Sequence, residues 1–188
     1  MKIKIITAML LALFCCQGIK SQTVALKSNL LYDALLNVNA GIEFGLAPKW
    51  TLDVSGDFNA WKFSKGKRWK HWFVQPEVRY WLCDRWAGHF FGLHAIGGQY
   101  NVGGIKNPVF DGLEDHRYQG WAAGAGIAYG YTWILGKHWN LEAEIGIGYA
   151  YTKFDTFKCA GCGQKTASDR THNYFGPTKA AINIVYLF

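Results

Sequence analysis

Residues 139–151 read WNLEAEIGIGYAY. Trp139, Leu141, Ala143, Ile145, Ile147, Tyr149 and Tyr151 fill one set of alternate positions, and Asn140, Glu142, Glu144, Gly146, Gly148 and Ala150 fill the other. Successive side chains of a strand leave opposite faces of the backbone, so period two marks extended chain. One face of this strand is apolar and aromatic, and the other holds two carboxylates among small residues. The stretch 120–134, GWAAGAGIAYGYTWI, repeats the design. Trp121, Ala123, Ala125, Ile127, Tyr129, Tyr131 and Trp133 share one face, opposite glycine, alanine and Thr132. At the end of the chain Ile182, Ile184, Tyr186 and Phe188 oppose Lys179, Ala181 and Asn183.

Similar alternation at 24–31, 37–46, 51–61, 72–82 and 89–100 brings the count to eight strands, the last over 174–188. The odd-numbered gaps between them are about 5, 10, 17 and 19 residues and the even-numbered ones about 4, 6 and 4, with boundaries good to a few residues. Long loops at one end and short turns at the other describe an outer-membrane barrel. A soluble sandwich has no reason to sort its loops this way. The reading is all-β: an eight-stranded antiparallel up-and-down transmembrane β-barrel, one domain over 22–188, after a cleaved signal peptide over 1–21. Lys2 and Lys4 ahead of the apolar run Ile5–Phe14 form the charged and apolar regions of such a peptide. Its removal takes away three lysines and no acid, lowering the formal charge from +7 to +4.

Composition agrees. Charged residues make up 18% of the chain, below the ~25% of an ordinary soluble domain. An aromatic content of 16% excludes disorder. No apolar run is long enough for a membrane helix. Tryptophan gathers at strand ends: Trp50, Trp81, Trp86, Trp133 and Trp139 near the short turns, and Trp61, Trp69, Trp72 and Trp121 near the long loops. Indole prefers the headgroup level, so these positions predict two aromatic girdles.

Eight strands enclose room for side chains only. The inward candidates are Lys27, Arg79, Lys179 and His94 as bases, and Glu43, Asp53, Asp57, Glu77, Glu142 and Glu144 as acids. Buried charges must be paired, which predicts an ionic, close-packed interior with no open pore. Two prolines misfit. Pro76 falls in mid-strand and demands a bulge or a strand that rises above the membrane before it, whereas Pro177 suits a strand start.

The stretches KSNLLYDALLNVNAGIEFGLAPKWTLDV (27–54), HWFVQPEVRYWL (71–82), 120–151 and YFGPTKAAINIVYLF (174–188) resemble the domain of unknown function family 3575, found in secreted proteins of anaerobic Gram-negative bacteria. The resemblance covers most of the mature chain. It implies an outer-membrane protein with no established activity or catalytic residues. Through the neighbourhood of fimbrillin-type adhesin genes it also implies a fimbria-related or adhesive role at the surface. Ile184, Tyr186 and the terminal Phe188 are similar to the signal read by the barrel-insertion machinery.

Remaining motifs are sparse. Cys159 and Cys162, spaced CxxC, suit a local disulfide or a dithiol better than a metal, because only His172 lies nearby and a structural zinc site needs four ligands. Lys62, Lys65, Lys67, Arg68 and Lys70, with Trp69 and His71, form a basic outer loop facing lipopolysaccharide or plain solvent. The outer segments 62–71, 101–117 and 155–173 are the candidate contact regions. A surface adhesin or fimbrial protein is the candidate protein partner. The export signal argues against nucleic acid. No cofactor, metal or catalytic residue is expected. Two alternatives stand beside the structural or interaction role. A membrane-embedded hydrolase or acyltransferase acting on lipid or peptide would need Ser55 and His94 to meet, or Glu142 and Glu144 to act as paired carboxylates. A soluble lipocalin-like barrel would turn Ile145, Ile147 and Tyr149 inward around a ligand.

Overall fold

The computed structural model describes residues 22–62, 68–104, 116–159 and 163–188. Eight antiparallel strands close in sequence order: β1 (Val24–Asn29), β2 (Val38–Ala47), β3 (Trp50–Lys62), β4 (Arg68–Trp81), β5 (Gly88–Gly103), β6 (Arg117–Ile134), β7 (Trp139–Phe157) and β8 (Lys165–Leu187). One short helix, α1 (Leu30–Ala34), follows β1. The all-β up-and-down architecture is the one that the period-two reading leads to. Among the described residues no helix is long and apolar enough to cross a membrane.

Burial follows the alternation. On β7, Asn140, Glu142, Glu144, Gly146 and Gly148 are buried, while Ile145, Ile147 and Tyr149 are exposed. The glycines opposite the charges are a matter of space. A methyl on Gly92 would stand 2.6 Å from the Glu77 carboxyl carbon, and one on Gly130 would stand 2.3 Å from the Phe90 ring.

Several expectations need correction. The strands run well past the clear alternation, β7 to Phe157 and β8 from Lys165. Within the expected outer segments, 101–103, 117, 155–157 and 165–173 are therefore strand and not loop. Beyond the apolar belt polar residues occupy both faces of β7 and β8, so ladder pairing continues after the hydropathy pattern has faded. The basic loop narrows for the same reason: Arg68, Trp69, Lys70 and His71 belong to β4, and Lys62 closes β3. Lys65 and Lys67 lie outside the described residues. β1 is shorter than expected, because Leu30 and Leu31 open α1.

Pro177 sits inside β8, at a bulge. The register with β7 passes from Ile147–Pro177 to Gly146–Lys179, which leaves Thr178 as the extra residue. Pro76 keeps its pairing with Val54, while the ladder to β5 breaks between Val74–Gly97 and Glu77–His94 and resumes in the same register. A missing N–H is accommodated by a local gap in the ladder.

The tryptophans also divide. Trp50, Trp72, Trp121, Trp133 and Trp139 are exposed on the outer face. Trp81 and Trp86 turn inward and are buried with Phe90, Val185 and Leu187 in an apolar plug at the short-turn end. The Trp81 indole donates to Thr51 Oγ1 at 2.9 Å, so its polar edge is satisfied inside. Trp61 falls on the inner-face parity of β3 at the opposite mouth and donates to the Leu36 carbonyl at 2.7 Å. Trp69, paired with it, shares that face.

Candidate functional site: an ionic interior below an outer vestibule

Neighbouring strands bring their inward residues to common rungs. One rung runs Glu43, Asp53, Glu77, His94 across β2–β5 and continues as Gly126, Gly148, Gly176 across β6–β8. The next carries Thr51, Arg79, Gly92, Ala128, Gly146 and Lys179. His94 thus packs against Gly126 and Gly146, while Arg79 of β4 meets Glu142 and Glu144 of β7.

Arg79 is the hub and is fully buried. Its Nε donates to Glu77 at 2.5 Å, Nη2 to Glu144 at 2.7 Å and Nη1 to Glu142 at 3.0 Å. Its guanidinium also lies 4.5 Å from the Phe90 ring centroid, which seats the network on the apolar plug. Lys27 pairs with Glu43 at 2.5 Å and Glu142 at 3.1 Å. Lys179 pairs with Glu77 at 2.7 Å and Glu144 at 3.2 Å. Asn183 and Thr132 complete the coordination of Glu142. Asp53 stands 3.7 Å from both Lys27 and Arg79. Five carboxylates therefore share three fixed cations.

Asp57 does not join this cluster. It pairs with His71, 3.0 Å away and nearer the outer mouth. His94 Nε2 meets Thr178 Oγ1 at 2.9 Å, and Gln75 Nε2 donates to the Thr178 carbonyl at 3.2 Å. The bulge at Thr178 thus supplies two polar contacts inside the barrel. The sequence marks His71 only as part of the basic loop and does not mark Thr178. His71 looked like loop, and a bulge breaks the parity that would have marked Thr178.

Beyond the network lies a cavity of about 550 Å³. Asn59, His71, Tyr100, Gly120 and Phe154 form its central rung. Tyr118 packs edge-on against Phe154 at 5.5 Å. Aromatic surface and hydrogen-bonding groups thus line an outward-facing cup.

Other candidates are scattered. Ser55 Oγ donates to the Gln75 carbonyl, and His94 is engaged by Thr178, so the two are not joined as nucleophile and base. Glu142 and Glu144 are enclosed by cations. Among the described residues no group of three or more His, Cys, Asp or Glu is placed to hold a metal. Cys159 is disulfide-bonded and Cys83 is free on the surface, while Cys162 lies outside the described residues. Outside the belt, exposed pairs join β7 to β8: Lys153–Asp169 at 2.8 Å and Lys165–Asp155 at 2.6 Å.

An up-and-down eight-stranded barrel, charged within and apolar without, is the class of protein that this geometry defines. The chain belongs to the family described as "Protein of unknown function (DUF3575)", whose match spans residues 6–188. Neither the curated proteins nor the solved structures contain a match.

Proposed function

We propose that the protein is an outer-membrane β-barrel of a Gram-negative bacterium with a structural or binding role at the cell surface, made with a signal peptide over 1–21 that is removed on export. The observation that carries this reading is the inverted distribution of polarity. Val78, Leu93, Ile127 and Ile147 follow one another around the outer face and are 40%, 64%, 64% and 46% exposed, whereas Glu43, Glu77, Arg79 and Glu142 are buried. An apolar patch wrapping a barrel needs an apolar solvent. Trp121 and Trp133 lie twelve residues apart on β6. That is about 40 Å of strand, or roughly 30 Å of height at the usual tilt, which matches a bilayer core. Ile145, Ile147 and Tyr149 face outward, the reverse of what a lipocalin-like cavity requires.

The vestibule then opens on the cell exterior. Lys153 shares a rung with Trp72 and Trp121, and Lys70 lies just beyond it. Cations beside an aromatic girdle suit the phosphates of lipopolysaccharide. Tyr186 and Phe188 stack edge-on at the opposite rim, where the insertion machinery would read them together with Ile184. A surface adhesin or fimbrial subunit is the protein partner that the family resemblance suggests.

The test is folding of the chain lacking residues 1–21. We expect β-structure and a heat-modifiable electrophoretic shift in detergent or lipid, with neither in plain buffer. A water-soluble folded monomer would overturn the reading.

A further inference from the structure

The strands lengthen around the ring, from six residues in β1 to 23 in β8. Where the two meet, β1 pairs with β8 only between Ala25–Leu187 and Asn29–Asn183. Towards the outer end, β8 continues to Lys165 with β7 on one side and no ladder partner on the other among the described residues. Across the gap, the β1–β2 ladder ends at Lys27–Gly41 and the β2–β3 ladder at Val38–Phe58. The described wall therefore contains a wedge-shaped seam.

This seam lies at the depth of the apolar belt. A tilted strand needs about 9–11 residues to cross a bilayer, and β1 turns back after six. Leu30, Leu31, Leu35 and Leu36 are exposed at that turn, Leu35 by 67%. Irregular backbone survives in hydrocarbon only where protein satisfies it, and here short polar side chains do so. Asn29 Nδ2 donates to the Ala180 carbonyl at 3.3 Å, and Asn29 Oδ1 accepts from the amides of Leu31 and Ile182 at 3.1 and 3.2 Å. Asp33 accepts from Asn39 at 2.7 Å and from Ser28 at 2.8 Å. α1 is thus clipped into the seam by side chains and not by a ladder. Phe58, Asn59 and Asp169, from the two flanks of the seam, all line the vestibule.

We propose that the seam is a lateral binding site for a membrane amphiphile. Its acyl chain lies against Leu35, Leu36, Val38 and Phe58, and its polar head enters the vestibule beside His71 and Tyr100. The occupant is a lipid because the seam is continuous with the apolar belt at bilayer depth. Strand addition is disfavoured on the edge above: Asp169 has a φ of 55°, a twist that interrupts a flat pairing template. The proposal rests on the bilayer reading above.

The test places a photoreactive p-benzoylphenylalanine at Tyr100, in the vestibule, or at Leu93, on the mid-belt exterior. The chain without residues 1–21 is reconstituted in phosphatidylethanolamine–phosphatidylglycerol vesicles holding a trace of chain-labelled lysophosphatidylethanolamine. We expect lipid adducts at both positions. Adding Leu35→Lys and Leu36→Lys should lower the Tyr100 adduct about tenfold, the scale of losing such apolar contacts, and leave the Leu93 adduct unchanged. An adduct at Leu93 with none at Tyr100, or a Tyr100 adduct indifferent to the seam variants, overturns the proposal while sparing the bilayer reading. Absence of an adduct at Leu93 overturns both. The heat-modifiable shift checks that each variant has folded, and His71 is the second labelling position should the Tyr100 variant fail.

Discussion

Arg79 has no exposed surface and meets four of the five interior carboxylates within 3.5 Å. Removing one partner from a buried network leaves charge uncompensated, at about 3–5 kcal/mol. We therefore expect Arg79→Met to lower the unfolding free energy in micelles by about that much, read from the denaturant midpoint. Glu144→Gln should cost less, because carboxylates outnumber fixed cations and a neutral amide still accepts from Arg79. Equal losses would contradict the charge imbalance. The identities of these residues were legible from alternation alone, since each falls on the face opposite the aromatic stripe. Their pairings were not, because salt bridges join β1, β4, β7 and β8 at separations that no local pattern encodes. Asp57 shows the limit. It shares the parity of Asp53, yet four residues further along β3 it meets His71 and leaves the network.

At the scale of elements, the outer ends of β7 and β8 were invisible in the sequence. Residues 152–157 and 165–173 carry polar side chains on both faces, so period two vanishes although the ladder persists. Exposed side-chain pairs help to hold this hairpin. The Asp155 carboxyl is kept below its ordinary range first by the Lys165 ammonium hydrogen bond and then by the Asp169 amide. A depressed folded pKa gives stability that is present above the unfolded value, about 3.9, and lost as pH falls through the lower folded value. We expect amide exchange at Asp169, corrected for intrinsic rate, to quicken as pH falls through that window, and Asp155→Asn to abolish the trend. A pH-independent protection factor would show that the pair contributes nothing. The bulge at Thr178 belongs to this scale as well: Pro177 announced an irregularity, but only the register with β7 located it inside a strand.

Over the whole molecule, polarity is turned inside out, and the consequence is a cost that varies with depth. Arg in place of Ile127, midway between the outer and inner tryptophans of β6, should destabilise the barrel in phospholipid vesicles by about 2–4 kcal/mol. Arg in place of Leu135, at the short turn, should cost about 0–1 kcal/mol. Equal costs, measured by denaturant titration, would mean that no bilayer surrounds the belt. The sequence by itself determined the number of strands, their up-and-down order and most of the inward and outward sets of residues. All of these follow from period two and from residue types that act locally along one strand. Tertiary structure alone decided how far the strands climb, that Trp81 and Trp86 plug the interior, that His71 meets Asp57, and that β1 stops short beside β8 to leave a seam. Each of these depends on which residues of distant strands share a rung, and a rung is set by ring closure and stagger, which no single strand encodes.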